Sequence, residues 1–203
     1  MTLSREQVVA ETLRLVDDKG LDALSLRALA ARLGVRAPTL YWHVKNKSEL
    51  LDAVADTVMD DAIAAIPSSP GGDGRPWLLD ALVALRAALL RHRDGARIVS
   101  GARYSLRRAD FSELAMATLV EHGHAAHEAR LLVLAGERYT VGWVLEEQGP
   151  EPDGPAPDPG ALRARFPVMV QAIGDYFAGT GRTPEDLYRD AARLVLGIPE
   201  GAS

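Results

Sequence analysis

The stretch LGVRAPTLYWHVKNKSELL, Leu33–Leu51, decides how the rest of the chain is read. Tyr41, Trp42 and His43 stand side by side, Lys45 and Lys47 follow, and Pro38 opens the segment. A buried helix rarely carries so many polar groups, and a solvated one rarely carries adjacent bulky aromatics. Upstream, Ser25 is a good N-cap, and Leu26, Leu29, Ala30 and Leu33 follow the i, i+3, i+4, i+7 spacing of a single helix face. Gly34 permits the left-handed backbone of a tight turn. Pro38 suits a first helical turn, where its missing donor would be unpaired anyway. The spacing predicts short helices at about 26–33 and 38–44 joined by LGVR, with Leu29, Leu33, Val35 and Leu40 packed between them. This is helix-turn-helix architecture. Its second helix exposes Arg36, Thr39, Tyr41, His43 and, just beyond, Lys47, which suit phosphates and base edges. Spacing alone leaves a second reading open, a bundle corner with a solvated basic face.

Charge favours the first reading. The chain of 203 residues carries a net charge of −5. Residues 1–50 hold eight Lys and Arg against six Asp and Glu, and the remainder holds 15 against 22. Between Ala23 and Ser48 lie Arg27, Arg32, Arg36, Lys45 and Lys47 and no acidic residue. A basic stripe on an acidic body is the electrostatic footprint expected for phosphate.

The remainder reads as helix with no period-2 strand pattern, so the fold expected is all-α. Val8, Thr12 and Val16, with Val9 and Leu13, define a first helix that Gly20 stops. Asn46 caps a long helix running to about Ile66. PSSPGGDGRP (67–76) is a break. Further helices are expected at about 77–91, 106–122, 126–147, 162–178 and 184–196, with Asp94 capping a short one. GPEPDGPAPDPG (149–160) holds five of the twelve prolines and reads as a mobile loop.

Several function classes drop out. With no cysteine there is no disulfide, thiolate metal site or cysteine nucleophile. The first residues lack an apolar signal core, and no apolar run nears the ~20 residues that cross a bilayer. A cytoplasmic protein without membrane contact is expected. HRDG at 92–95 has the letters of a kinase loop but no Gly-rich phosphate loop accompanies it. No Ser–His–Asp order points to an enzyme, and no cofactor is implied. His122, His124 and His127 keep one alternative alive, a helical metal-binding protein or enzyme, although zinc would need a further ligand. Gly123 reads more simply as a turn with exposed histidines around it.

The segment LDALSLRALAARLGVRAPTLYWHVKNKSELLDAVA (21–55) resembles the DNA-binding domain of the TetR family of transcriptional repressors. ALLRHRDGARIVSGAR (88–103) and YTVGWVLEEQ (139–148) are similar to the ligand domain of its tetracycline-repressor class, so the likeness spans nearly the whole chain. The resemblance implies a helix-turn-helix DNA-binding domain over 1–46 and a helical ligand-binding and dimerisation domain over 47–203. It implies a homodimer on a palindromic double-stranded operator, released by a small-molecule effector. By position, Arg27, Ala37, Pro38, Thr39, Tyr41, His43 and Lys47 match family DNA contacts. Leu26 and Ala37 replace polar residues of the class, so a different operator is expected.

The pocket is sought around LLVLAGERYTVGWVLEE (131–147), apolar over most of its circumference and so buried on more than one side. Candidate walls are Ile63, Ile66, Leu82, Leu85, Val99, Leu119 and Trp143, with Arg103, Tyr104, Arg138 and Glu146 as polar anchors. The resemblance adds Ala81: it, Ile63 and Val99 replace hydrogen-bonding or metal-binding residues of the class. The effector expected is therefore apolar or amphipathic and free of metal, with one or two polar handles. The dimer interface is expected on the helices at 126–147 and 184–197, with Tyr188, Ala191, Ala192, Val195 and Leu196 as its stripe.

Overall fold

The computed structural model describes residues 3–68, 72–150 and 153–199, and these are helical with no strand among them. Among the described residues eleven α-helices follow one another: α1 Arg5–Lys19, α2 Leu26–Leu33, α3 Ala37–Leu40, α4 Lys47–Ala64, α5 Arg75–Leu90, α6 Gly95–Gly101, α7 Leu106–Glu121, α8 Ala126–Glu147, α9 Pro159–Arg165, α10 Pro167–Phe177 and α11 Pro184–Leu196. A single 3-10 turn, Leu21–Ala23, links α1 to α2.

α1 to α3 form a small headpiece around Val8, Val16, Leu29, Leu40 and Val44, all at most 1 % exposed. Local chemistry sets its ends. Ser4 and Gln7 make a reciprocal capping box at α1, satisfying two orphan amides. The Ser25 hydroxyl accepts from Ala28 N–H at the start of α2. Gly34 ends α2 in the left-handed conformation (φ 66°), and Val35 N–H closes the turn on the Ala30 carbonyl at 3.0 Å. The third helix is shorter than the spacing suggested. After Leu40, Tyr41, Trp42 and His43 bond back three residues instead of four. Bulky aromatic and β-branched residues lose side-chain freedom in a helix, so this run tightens into a turn.

α4 begins at an Asn46 cap, which accepts from Glu49 N–H, and leaves the headpiece to pack on α5, α6 and α7. Two glycines fix close approaches. A β-carbon at Gly136 of α8 would meet Leu82 of α5 at 2.5 Å, and one at Gly95 would meet the Leu89 carbonyl oxygen at 2.1 Å. A larger residue at Gly95 would open the α5–α6 turn, and one at Gly136 would force the Leu82 side chain to move.

Two differences from the sequence reading stand out. The helix expected at 162–178 is two helices, broken at Phe166, because Pro167 disfavours helical geometry in the residue before it. The α11 stripe Tyr188, Ala192 and Leu196 is spent inside the chain, at 0 %, 0 % and 1 % exposure, against α8 and α5. The Tyr188 hydroxyl pairs with Thr140 at 2.8 Å and donates to the Leu82 carbonyl at 3.2 Å. Of the expected loop 149–160, residues 151 and 152 lie outside the described residues, as do 69–71 of the 67–76 break, and Pro159 and Gly160 already belong to α9.

Candidate functional site

The headpiece presents one polar face. Arg27, Arg36, Pro38 and Tyr41 are exposed, Ala37, Thr39 and His43 half-buried, and Lys47 exposed. Trp42, not among the expected DNA contacts, is the most exposed large apolar side chain among the described residues, at 88 %. The basic residues divide by partner. Arg32 is spent within the headpiece on Glu11 and on Asp18 at 2.6 Å. The Lys47 ammonium donates to the Leu24 carbonyl at 2.8 Å, which fastens α4 to the turn before α2. It keeps two further protons for a phosphate.

The headpiece is clasped to the rest of the chain at the α5–α6 turn. His92 Nδ1 lies 3.1 Å from Asp17, Arg93 N–H donates to Asp17 at 3.1 Å, and Arg97 reaches Asp22 at 2.7 Å. Asp94 sits at the N-cap position of α6 but does not cap it; its side chain accepts from Leu21 N–H at 2.7 Å and from Arg97 at 2.8 Å. Asp94 is also the one non-glycine residue with positive φ (63°) among the described residues.

The pocket candidates separate into two groups. Ala81, Leu82, Leu85, Val99 and Leu119 are buried in the core, and Ile63, Ile66 and Trp143 are half-buried on its edge. Arg103, Tyr104, Arg138 and Glu146 are exposed. The expected polar anchors are thus more exposed than the expected apolar walls. A small cavity of about 40 Å³ lies between α7 and α8, lined by Ser112, Met116, Arg130, Val133, Leu134 and Glu137.

Glu137 is the residue sequence reasoning missed. It is only 5 % exposed. Its carboxylate accepts from the Ser112 hydroxyl and lies 3.6 Å from Arg108 Nε. Burial pushes its carboxyl above the ordinary range, against the pull of Ser112, Arg108 and Arg138. In GERYT it looks like an ordinary surface acid; only the counterparts at 108 and 112 on another helix reveal its burial.

The histidines do not converge. His122 Nδ1 lies 2.8 Å from the Thr118 carbonyl, and His124 Nε2 lies 2.9 Å from the Asp73 carbonyl. The His124 side chain, 8 % exposed, faces Glu128 at 3.4 Å, so it is a buried pin for the 72–74 turn and not an exposed turn residue. Among the described residues no three His, Cys, Asp or Glu side chains are placed to hold a metal. The metal-site alternative built on His122, His124 and His127 is set aside.

Residues 8–54 match the family model for bacterial regulatory proteins of the tetR family. Residues 66–183 match the model for the tetracyclin repressor-like C-terminal domain. The chain belongs to the TetR family. The tetracycline repressor protein class C of Escherichia coli is 40 % identical over 153 residues, 74 % of this chain and 69 % of that one. The crystal structure of a possible TetR-family transcriptional regulator from Streptomyces coelicolor A3(2) superimposes with TM-score 0.77 at 30 % identity, covering 96 % of this chain and 97 % of the other. BioQ, solved with its natural double-stranded DNA operator, superimposes with TM-score 0.60 at 27 % identity over 85 % of this chain and 98 % of the other. As a TetR-family member the protein is a ligand-responsive transcriptional repressor. Among the described residues no helix is long and apolar enough to cross a membrane.

Proposed function

We propose that the protein binds a palindromic operator as a homodimer and leaves it when a small apolar or amphipathic effector occupies the domain beyond α4. The function is binding alone, in the cytoplasm, with no catalysis and no cofactor. The observation that carries the reading is the headpiece face: Arg27, Arg36, Thr39, Tyr41, His43 and Lys47 stand on a helix-turn-helix whose Leu29, Leu40 and Val44 are buried in the core. Arg27 and Lys47 serve phosphates, and Thr39 and His43 meet base edges, with Ala37 and Pro38 seating the turn against the backbone. Two such faces enter successive major grooves when their centres lie ~34–36 Å apart.

The dimer surface follows from what the fold leaves uncovered. α11 spends one face on α8 and α5, yet Leu194 and Val195 are 79 % and 38 % exposed, and Leu131 and Leu145 of α8 are 63 % and 38 % exposed. The α10 residues Val168, Met169 and Ile173 are 78 %, 49 % and 53 % exposed, and no residue of that helix is buried. Apolar surface on this scale belongs against a partner.

The effector is not magnesium–tetracycline. Ala81 and Val99 are buried apolar side chains and Ile63 a half-buried one, where the tetracycline-repressor class has polar or metal-binding groups. Each polar group of the drug left unpaired would cost ~1–3 kcal/mol. Selection from a random duplex library tests the operator reading. The enriched sequence is expected to be an inverted repeat with half-sites about one helical turn apart, and tetracycline with magnesium should leave the complex intact. Enrichment of no common sequence would overturn the proposal.

A further inference from the structure

Arg36 stands where the chain leaves the Gly34 turn and enters α3. It is the N-cap residue of that helix, with extended backbone (φ −82°, ψ 144°), and its side chain makes no cap bond. Its backbone is held on both sides. Val35 N–H bonds the Ala30 carbonyl at 3.0 Å, and the Arg36 carbonyl accepts from Thr39 N–H at 2.9 Å. Its guanidinium is free: the side chain is exposed and makes no hydrogen bond or ion pair among the described residues. Other headpiece arginines are engaged. Arg32 is bound to Glu11 and Asp18, Arg14 to Glu11, and Arg5 to Glu49. Arg27 is also free, but it stands on α2, the helix that crosses the DNA backbone in this architecture. The residues that open the second helix are the ones that reach base edges. No contact within the chain has to break for Arg36 to do so.

The neighbouring residue types say which base. Over 35–45 the sequence holds no Asn, Gln, Asp or Glu. In the major groove adenine is read by the paired donor and acceptor of an amide, and cytosine by a carboxylate, so neither has its reader on this segment. Guanine presents two acceptors, O6 and N7, which match two parallel N–H groups of a guanidinium. Lys45 is a point charge without that fork. Arg36 is therefore the one side chain of the segment built to grip a base edge with two parallel bonds. We infer that Arg36 reads a guanine in each half-site through O6 and N7 and is the specificity-determining residue of the headpiece. The inference rests on the operator reading and names the base that its first helical turn selects.

Selection from a random duplex library by the full chain and by Arg36→Ala, followed by anisotropy on the selected duplex at physiological salt, tests the assignment. Each half-site selected by the parent should hold a guanine that Arg36→Ala no longer requires, while the other selected positions persist. Changing that guanine to adenine in one half-site should weaken the parent by about 5- to 150-fold and Arg36→Ala by less than about threefold. Replacing it with 7-deazaguanine, which lacks only the N7 acceptor, should weaken the parent and leave Arg36→Ala unaffected. The parent's response to 7-deazaguanine serves on its own if the variant does not fold. A guanine still required by Arg36→Ala, a parent indifferent to 7-deazaguanine, or a variant that binds all duplexes more weakly by one common factor would overturn the inference; the last result would make Arg36 a phosphate contact. An inverted repeat with no guanine dependent on Arg36 sinks this inference and leaves the repressor reading standing. Enrichment of no common sequence sinks both.

Discussion

Asp94 Oδ2 accepts the amide proton of Leu21 across 73 residues of sequence, at 2.7 Å. That bond joins the first residue of the 3-10 turn behind the headpiece to the turn between α5 and α6, and Arg97 braces it from both sides by bonding Asp94 and Asp22. Asp94 holds the sparsely populated left-handed backbone to do so. The headpiece therefore meets the effector domain at a second point besides α4.

Replacing Asp94 by Ala removes the acceptor and leaves a residue that tolerates positive φ poorly. The headpiece should open locally more often, by about 1–2 kcal/mol. Hydrogen exchange should quicken in α1 and α2 and hold steady in α5 and α8. Uniform quickening throughout would mean that the clasp stabilises the whole fold and has no particular role at the headpiece.

Lys45 and Lys47 should behave differently although they are two residues apart. Lys45 is exposed and its backbone amide donates to Glu49, whereas the Lys47 ammonium bonds the Leu24 carbonyl. Replacing either by Met should lower the salt slope of DNA binding by about one unit. Only Lys47→Met should also lower the melting temperature of the free protein. A Lys47→Met protein as stable as its parent would show that the bond to Leu24 contributes nothing.

On α11 the two sides of one helix should give opposite results. Ala192 is fully buried, so Ala192→Asp should unfold the chain by burying an unpaired charge. Leu194→Asp combined with Val195→Asp changes exposed positions and should give folded monomers by sedimentation. A dimer that survives the double change places the interface elsewhere.

The raised Glu137 titration fixes a direction for pH. An acid that holds its proton more tightly when folded favours the native state most below its ordinary value of 4.5. That contribution is lost as pH rises from there through the higher folded value. Glu137→Gln keeps the shape without the ionisation, so it should melt above the parent at pH 8, with the gap closing near pH 4.5. A variant that melts lower at pH 8 by a pH-independent margin would show a Glu137 ionised and fully paired with Arg108.

The headpiece was legible because its signals are local. Ser25, Gly34 and Pro38 act on their own backbone, and the face that holds Leu29 and Leu40 repeats with the helix period. The break at Phe166 was equally local, since Pro167 announces it, but the apolar run VMVQAI hid the stop. The effector domain was legible as approximate helix positions, the break at Phe166 apart, and not as packing. Which face of α11 turns inward depends on Thr140 and Leu82, 48 and 106 residues from Tyr188. The same distance in sequence concealed Glu137, while Arg103, Tyr104, Arg138 and Glu146, the polar anchors expected from the sequence, are exposed.

Specific recognition of a symmetric operator is the central claim, and fluorescence anisotropy of labelled duplexes at physiological salt tests it most directly. The selected inverted repeat should bind two chains per duplex, at least about 10³-fold more tightly than a scrambled duplex of the same composition, and quench the exposed Trp42 as it binds. Equal affinity for the two duplexes would contradict the account.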